Sequence, residues 1–238
     1  MILVTGASEG IGYACACLLL ERSDGPVLIT GRSEVKLMHA RKQVAPALRS
    51  RLQTMVCDQG RRQDIDALID MIERADVPLE AALLTVGVNP MYVEGGRRLH
   101  AVAAETIEAT IRANCTHALL LSAALLGRFR AQERGALAWV GSQAPDAGLP
   151  GAATYCATKS FLSGLARSAH NEYARHGVRV HLFHPGVVRT PRTAATASRF
   201  AARHHRTVME PLEVADTIVS RLSAVSVPSN VSDVEVRL

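Results

Sequence analysis

No uninterrupted apolar run in this chain approaches the roughly 20 residues that a membrane helix requires, so no membrane span is expected. The opening Met1-Ile-Leu-Val-Thr-Gly6 lacks the charged start and the length of a secretory signal. The five cysteines (15, 17, 57, 115 and 156) show no zinc-like spacing, and their odd number argues against a secreted disulfide framework. No metal site is expected, and the thiols read as reduced packing groups of a cytoplasmic protein. Repeats, low-complexity tracts and linkers are absent, which leaves one domain over residues 1–238. Charge asymmetry is also missing: 27 Lys and Arg against 22 Asp and Glu give only +5, so nucleic-acid binding is not indicated.

What remains is an alternation of short apolar runs with helical patterns. Runs at 2–5, 27–30, 52–57, 81–86, 137–140 and 178–183 read as strands. Helical spacing follows Gly12 through Leu20 and recurs at 64–74, at 103–129, around 155–173 and at 211–222, with a last alternating strand at 231–236. Such a chain predicts an α/β Rossmann-type domain, a doubly wound, mostly parallel sheet with helices on both faces.

Four places before residue 90 carry chemistry. The first strand enters Gly6-Ala-Ser8-Glu9-Gly10-Ile11-Gly12 and then a helix, the context in which glycines let the backbone approach a pyrophosphate and a helix N-terminus supplies amides. Arg32 follows the second strand, some 20 residues beyond Gly12, where an NAD-selective site carries a carboxylate. An arginine there suits a 2′-phosphate, which favours NADP(H) over NAD(H), with Glu9 as a contrary sign. Asp58, ending the third strand, reads equally as an acceptor for the adenine amino group or as a cap for the next helix. Gly87, after the fourth strand, allows the backbone to lie against a ligand.

Three more places lie beyond residue 110. Tyr155 and Lys159 are four apart, on one face of a helix, where the ammonium lowers the phenol pKa toward the range useful for proton transfer. Ser142, thirteen residues earlier at a strand end, is placed to hydrogen-bond the group the tyrosine protonates. Asn114 is the conspicuous polar residue of the long apolar helix; it either bridges or kinks its neighbours or holds a catalytic water.

With Thr5-Gly-x-x-x-Gly-x-Gly12, Asn114, Ser142, Tyr155-x-x-x-Lys159 and Pro185-Gly186-x-x-x-Thr190 in register, the chain resembles the short-chain dehydrogenase/reductase family, compact single-domain branch, over essentially its whole length. The resemblance implies Tyr155 as acid/base and Lys159 as its electrostatic partner and a ligand of the nicotinamide ribose. Ser142 would orient the substrate carbonyl, and Asn114 would hold a proton-relaying water. Pro185, Gly186, Val188 and Thr190 would lie at the nicotinamide end of the cofactor, and residues at about 190–210 would form a substrate lid. It further implies a small carbonyl or alcohol substrate and a homodimer or homotetramer.

Two departures stand out: the turn after the fourth strand is altered, and the glycine-rich ending common among the fatty-acid-type reductases is replaced by Ser232-Asp-Val-Glu-Val-Arg-Leu238, which resembles members with varied small carbonyl or hydroxy-acid substrates. The family's Asn-Asn-Ala-Gly turn is Leu84-Thr85-Val86-Gly87 here, which removes two polar side chains that tie strands together near the cofactor. The 192–206 segment holds four arginines and two histidines, no Asp or Glu, and one aromatic, Phe200, which suits an anionic substrate or merely a solvated loop. Two other readings are weighed: a cofactor-binding sensor or assembly subunit that has lost turnover, supported by the altered turn, and a nucleic-acid module using the basic segment.

Overall fold

A computed structural model describes residues 1–91, 95–203, 206–224 and 234–238, with the backbone alone at 199, 200 and 203. The elements are β1 (Ile2–Thr5), α1 (Gly10–Arg22), β2 (Val27–Gly31), α2 (Glu34–Gln43), β3 (Leu52–Val56), α3 (Arg62–Arg74) and β4 (Ala81–Leu84). There follow α4 (Ala104–Ala131), β5 (Gly135–Val140), the short α5 (Ala144–Ala147), α6 (Ala153–Tyr173) and β6 (Val178–His184). Last come β7 (Val187–Val188), α7 (Ala197–Arg203), β8 (Val208–Met209), α8 (Pro211–Ser223) and β9 (Glu235–Arg237).

Seven strands form one sheet in the order β3-β2-β1-β4-β5-β6-β9, and each neighbouring pair is parallel. The apolar runs lack polar alternation because both faces are covered. Ile2, Val4, Ala81, Leu83, Ala136, Ala138 and Val140 face one core, with α1, α2 and α8. The intervening Leu3, Ala82, Leu84, Leu137 and Trp139 face a second core, with α3, α4 and α6. Strand order reverses between β1 and β4, and in an open parallel sheet the crevice beyond that point receives the ligand.

Three sequence expectations change. The 103–129 helix is interrupted by a π turn at Arg112–Thr116, where the His117 N–H bonds back to the Arg112 carbonyl. The same helix, Ala104–Ala131, is long and apolar enough by composition to cross a membrane, although no strictly uninterrupted apolar run marks it. It lies on the sheet, with Leu121, Leu125, Leu126 and Phe129 in the second core. Residues 192–210 are not all loop, since α7 and the β7–β8 pair occur there. The expected strand at 231–236 is seen as Glu235–Arg237, and 231–233, like His204 and His205, lie outside the described residues.

Candidate active site

The glycine turn is dictated by close approaches. Gly6 and Gly10 both have φ of +64°, a region costly for residues with a Cβ. A Cβ on Gly6 would stand 2.8 Å from Val86 Cγ2, and one on Gly12 2.8 Å from the Gly6 carbonyl oxygen. Glu9, the residue before α1, makes no capping bond with its side chain, and the first turn of α1 carries no acidic residue. The helix amides therefore face an anion without competition from the protein's own carboxylates, and a dinucleotide pyrophosphate fits this cradle.

The other predicted cofactor residues gather around that turn. Ser8 lies against Gly31 at the end of β2, and Ile11 packs on the first core. Arg32 is exposed and makes no ion pair or hydrogen bond with any described residue. Glu9, the contrary sign beside it, is neutralised by Lys36 at 2.7 Å. Asp58 caps no helix: its carboxylate accepts from the Gly60 N–H at 2.8 Å, and α3 starts after Arg61. Thr190 closes the turn from the far side, its Cγ2 being 3.3 Å from where a Gly10 Cβ would stand. Val188 is buried on β7, and the Pro185 carbonyl accepts from the Gln143 N–H. Gly186 lies against Gln143 and Leu238.

Around Tyr155 the geometry is tighter. Lys159 is 3% exposed, its Nζ donates to the Val140 carbonyl at 2.7 Å, and it stands 5.8 Å from the centre of the Tyr155 ring. Burial pushes this ammonium down to about 8; the Cys115 thiol works in the opposite direction and Arg192 adds to the drop. Gly87 leaves room for this side chain, since a Cβ there would fall 2.8 Å from Lys159 Nζ and displace it. Arg192 crosses from the lid segment and donates to the Gly87 carbonyl at 2.7 Å.

Asn114 bridges rather than kinks. Its Oδ1 accepts from the Val88 N–H and its Nδ2 donates to the Val88 carbonyl, both at 2.8 Å; Nδ2 also donates to Thr158 Oγ1 at 3.0 Å. Thr158 in turn donates to the Tyr155 carbonyl. Both Asn114 amide hydrogens are used in this way, which leaves one lone pair of Oδ1 and the peptide groups of the π turn to meet a water. Such turns concentrate at functional sites because they free backbone groups from the helix ladder.

Ser142 Oγ accepts the Ala144 N–H at 3.0 Å, which leaves the hydroxyl hydrogen available to a substrate oxygen. A shallow cleft lined by Asn89, Pro90, Met91, Arg97 and Val102 opens onto Tyr155. Sequence reasoning passed over Thr85, whose hydroxyl donates to the Thr5 carbonyl at 2.6 Å, although a hydroxyl within an apolar run was the visible sign. It also passed over Thr158 and the pair His184–Glu235, which nothing local to either residue reveals.

Fold and site together define a nicotinamide-dinucleotide oxidoreductase of the Rossmann class. The family model for short chain dehydrogenase matches residues 1–200, and the chain belongs to that family. It is 28% identical over 191 residues to a 3-oxoacyl-(acyl-carrier-protein) reductase of Rickettsia prowazekii, covering 80% of this chain and 73% of the relative. It is 33% identical over 192 residues to an uncharacterized oxidoreductase of Myxococcus xanthus, covering 81% and 73% respectively. The fold superposes on a 3-ketoacyl-(acyl-carrier-protein) reductase of Brucella melitensis complexed with NADH, with TM-score 0.84, 17% identity, and coverage of 100% of this chain and 95% of that one.

Proposed function

We propose that this protein is an NADP(H)-dependent reductase of a carbonyl compound, working in reverse as an alcohol dehydrogenase. The observation that carries the reading is the buried Lys159, pinned to Val140 beside the Tyr155 ring, with the Ser142 hydroxyl oriented by Ala144. A reduced nicotinamide dinucleotide held by the Gly6–Gly12 turn would supply the hydride that the carbonyl carbon takes up. Ser142 Oγ–H holds the carbonyl oxygen, and Tyr155 Oη–H gives it the proton as the C–O bond becomes single. The Lys159 charge favours the tyrosinate left behind, so it lowers the barrier where charge develops. Asn114 acts as a positioning residue, joining Val88 to Thr158, which bonds the Tyr155 carbonyl.

Arg32, exposed at the end of β2, supports NADPH over NADH, although the Brucella neighbour is complexed with NADH. Arg192 on Gly87 and Arg97 in the Tyr155 cleft support an anionic or carrier-linked oxo substrate, in keeping with the named activity of the Rickettsia relative. Free thiols at all five cysteines suit a cytoplasmic enzyme, and we expect a homodimer or homotetramer. The test is NADPH absorbance over a panel of 3-oxoacyl thioesters, keto acids and ketones. Consumption with at least one is expected; cofactor binding without turnover on any of them would favour the sensor reading instead.

A further inference from the structure

Gln143, the residue after Ser142, is not among the groups that move the proton or the hydride, yet several parts of the chain meet on it. Its N–H donates to the Pro185 carbonyl at 3.1 Å. Its Nε2 donates to the His184 carbonyl at 3.2 Å and to the Leu238 main-chain oxygen at 2.5 Å. Its Oε1 accepts from Arg206 Nη1 at 3.0 Å. Gln143 stands just before α5, where a short polar side chain would cap the helix, but it makes no capping bond. The amide is turned the other way, onto the turn that follows β6, and the Ser142 hydroxyl serves the Ala144 N–H instead.

Counting donors fixes the orientation of this amide. A carbonyl only accepts and a guanidinium only donates, so the NH2 group faces His184 and Leu238 and the oxygen faces Arg206. The flipped amide would set its oxygen against two acceptors and its nitrogen against a cation. Both amide hydrogens are used. The His184 carbonyl also accepts from the Leu238 N–H at 3.1 Å, which fills its two lone pairs. Arg206 is exposed and forms no ion pair among the described residues. Its own N–H donates to the Ala201 carbonyl of α7 at 2.9 Å, which sets it at the end of the lid segment.

We propose that Gln143 is a positioning residue that holds the Ser142 hydroxyl in register with the Pro185–Gly186 turn, and that Arg206 is the lid's hold on that register. The inference rests on the reductase reading, in which Ser142 takes the substrate oxygen and the turn borders the nicotinamide. One side chain then sets both ends of the hydride path, the acceptor and the donor. An error of about 1 Å in such a path can cost about a hundredfold in rate. Arg206 acts through the amide alone: with its guanidinium on Oε1, the Gln143 side chain cannot swing away from the two main-chain oxygens.

The experiment measures the single-turnover rate of NADPH oxidation by the full chain, with the carbonyl compound that the wild type reduces best, together with the NADPH dissociation constant. Gln143→Met keeps the length of the side chain and removes its donor and acceptor. The rate should fall about tenfold, with NADPH affinity within about twofold of wild type because the glycine turn is untouched. Arg206→Ala should lower the rate about threefold, and Arg206→Lys, which still donates to Oε1, should recover most of it. In the Gln143→Met background, Arg206→Ala should have no further effect. An unchanged rate in Gln143→Met overturns the proposal. So does an Arg206→Ala loss of the same size in both backgrounds, which would place Arg206 on the substrate instead. Arg206 is exposed, so its variants are expected to fold, and a wild-type rate in Arg206→Ala overturns the lid's part even if Gln143→Met does not fold. Amide hydrogen exchange needs no turnover: segments 142–147 and 185–188 should exchange faster in Gln143→Met, and unchanged exchange there also overturns the positioning role. Failure of the wild type to reduce any carbonyl would instead sink the reductase reading, and exchange would still decide whether the amide holds the Ser142 loop.

Discussion

The Thr85 hydroxyl donates to the Thr5 carbonyl across 2.6 Å, tying the end of β4 to the end of β1 where the glycine turn begins. A single hydroxyl thus makes a cross-strand tie in the turn that had lost the family's asparagines. Thr85→Val keeps the shape and removes the bond. Thermal or denaturant unfolding should show a loss of about 1 kcal/mol, and NADPH affinity should fall with it because the turn loosens. Unchanged stability and affinity would mean that the turn needs no tie.

Tyr155→Phe should abolish carbonyl reduction while leaving NADPH binding near the wild-type value. The ring keeps its place above Lys159, and only the transferable proton is lost. Steady-state rates alongside fluorescence titration separate the two effects. Activity within a few-fold of wild type would remove Tyr155 from the acid role.

Arg32→Asp should shift preference from NADPH toward NADH. A charge-assisted phosphate contact contributes roughly 1.5–3 kcal/mol, or one to two decades in the ratio of kcat/KM values. The neighbouring Lys36 is held by Glu9, so Arg32 is the cation in this place with no protein partner among the described residues. A ratio that barely moves would show that the phosphate is read elsewhere.

Arg192 lowers the proton affinity of Lys159, which burial alone has already brought down. The Lys159 ammonium is present below about pH 8 and lost above it, so reduction should decline as pH rises through that value. Arg192→Ala should move this limb to higher pH. If Arg192 also pairs with an anionic substrate, the same variant should reduce the rate on a keto acid and spare its methyl ester, most visibly at low salt. Equal effects on acid and ester would assign Arg192 to the Gly87 contact alone.

His181, 4% exposed on β6, has no hydrogen-bond partner for either ring nitrogen among the described residues. Burial, with Arg179, Arg221 and His170 adding to it, pushes its pKa down to about 4. Between that value and the ordinary 6.5 the unfolded chain binds the proton and the folded one does not, so stability rises with pH across this window. The contribution is complete above pH 6.5 and is lost as pH falls to about 4, on the order of 3 kcal/mol in all. His181→Leu should flatten the acid limb of a stability-versus-pH curve. An unchanged limb would place the acid sensitivity in other groups.

The sheet was legible because strands buried on both faces must be largely apolar, and 2–4, 81–84 and 137–140 are apolar throughout. The glycine turn and the Tyr155–Lys159 spacing were legible because a short helical or turn interval sets their geometry. The π turn was not, since its one outward sign was Asn114 in an apolar helix, and a bridge and a water-binder look alike in sequence. His184 and Glu235 are 51 residues apart, and nothing local to either marks their pairing. Arg192 read as lid or solvated charge, and nothing in sequence could place its guanidinium on Gly87.

Strand β9 lies beside β6 at one edge of the sheet yet follows every other described element along the chain. During synthesis the cradle of β1 and α1 emerges first, and Tyr155 and Lys159 emerge well before Glu235. A ribosome-bound chain reaching only residue 224 has the cradle and the Tyr155–Lys159 pair, while β6 still lacks its edge partner. Vectorial synthesis would then separate in time the forming of the cradle from the closing of the sheet edge. Nascent chains would be stabilised by cofactor before that edge is complete.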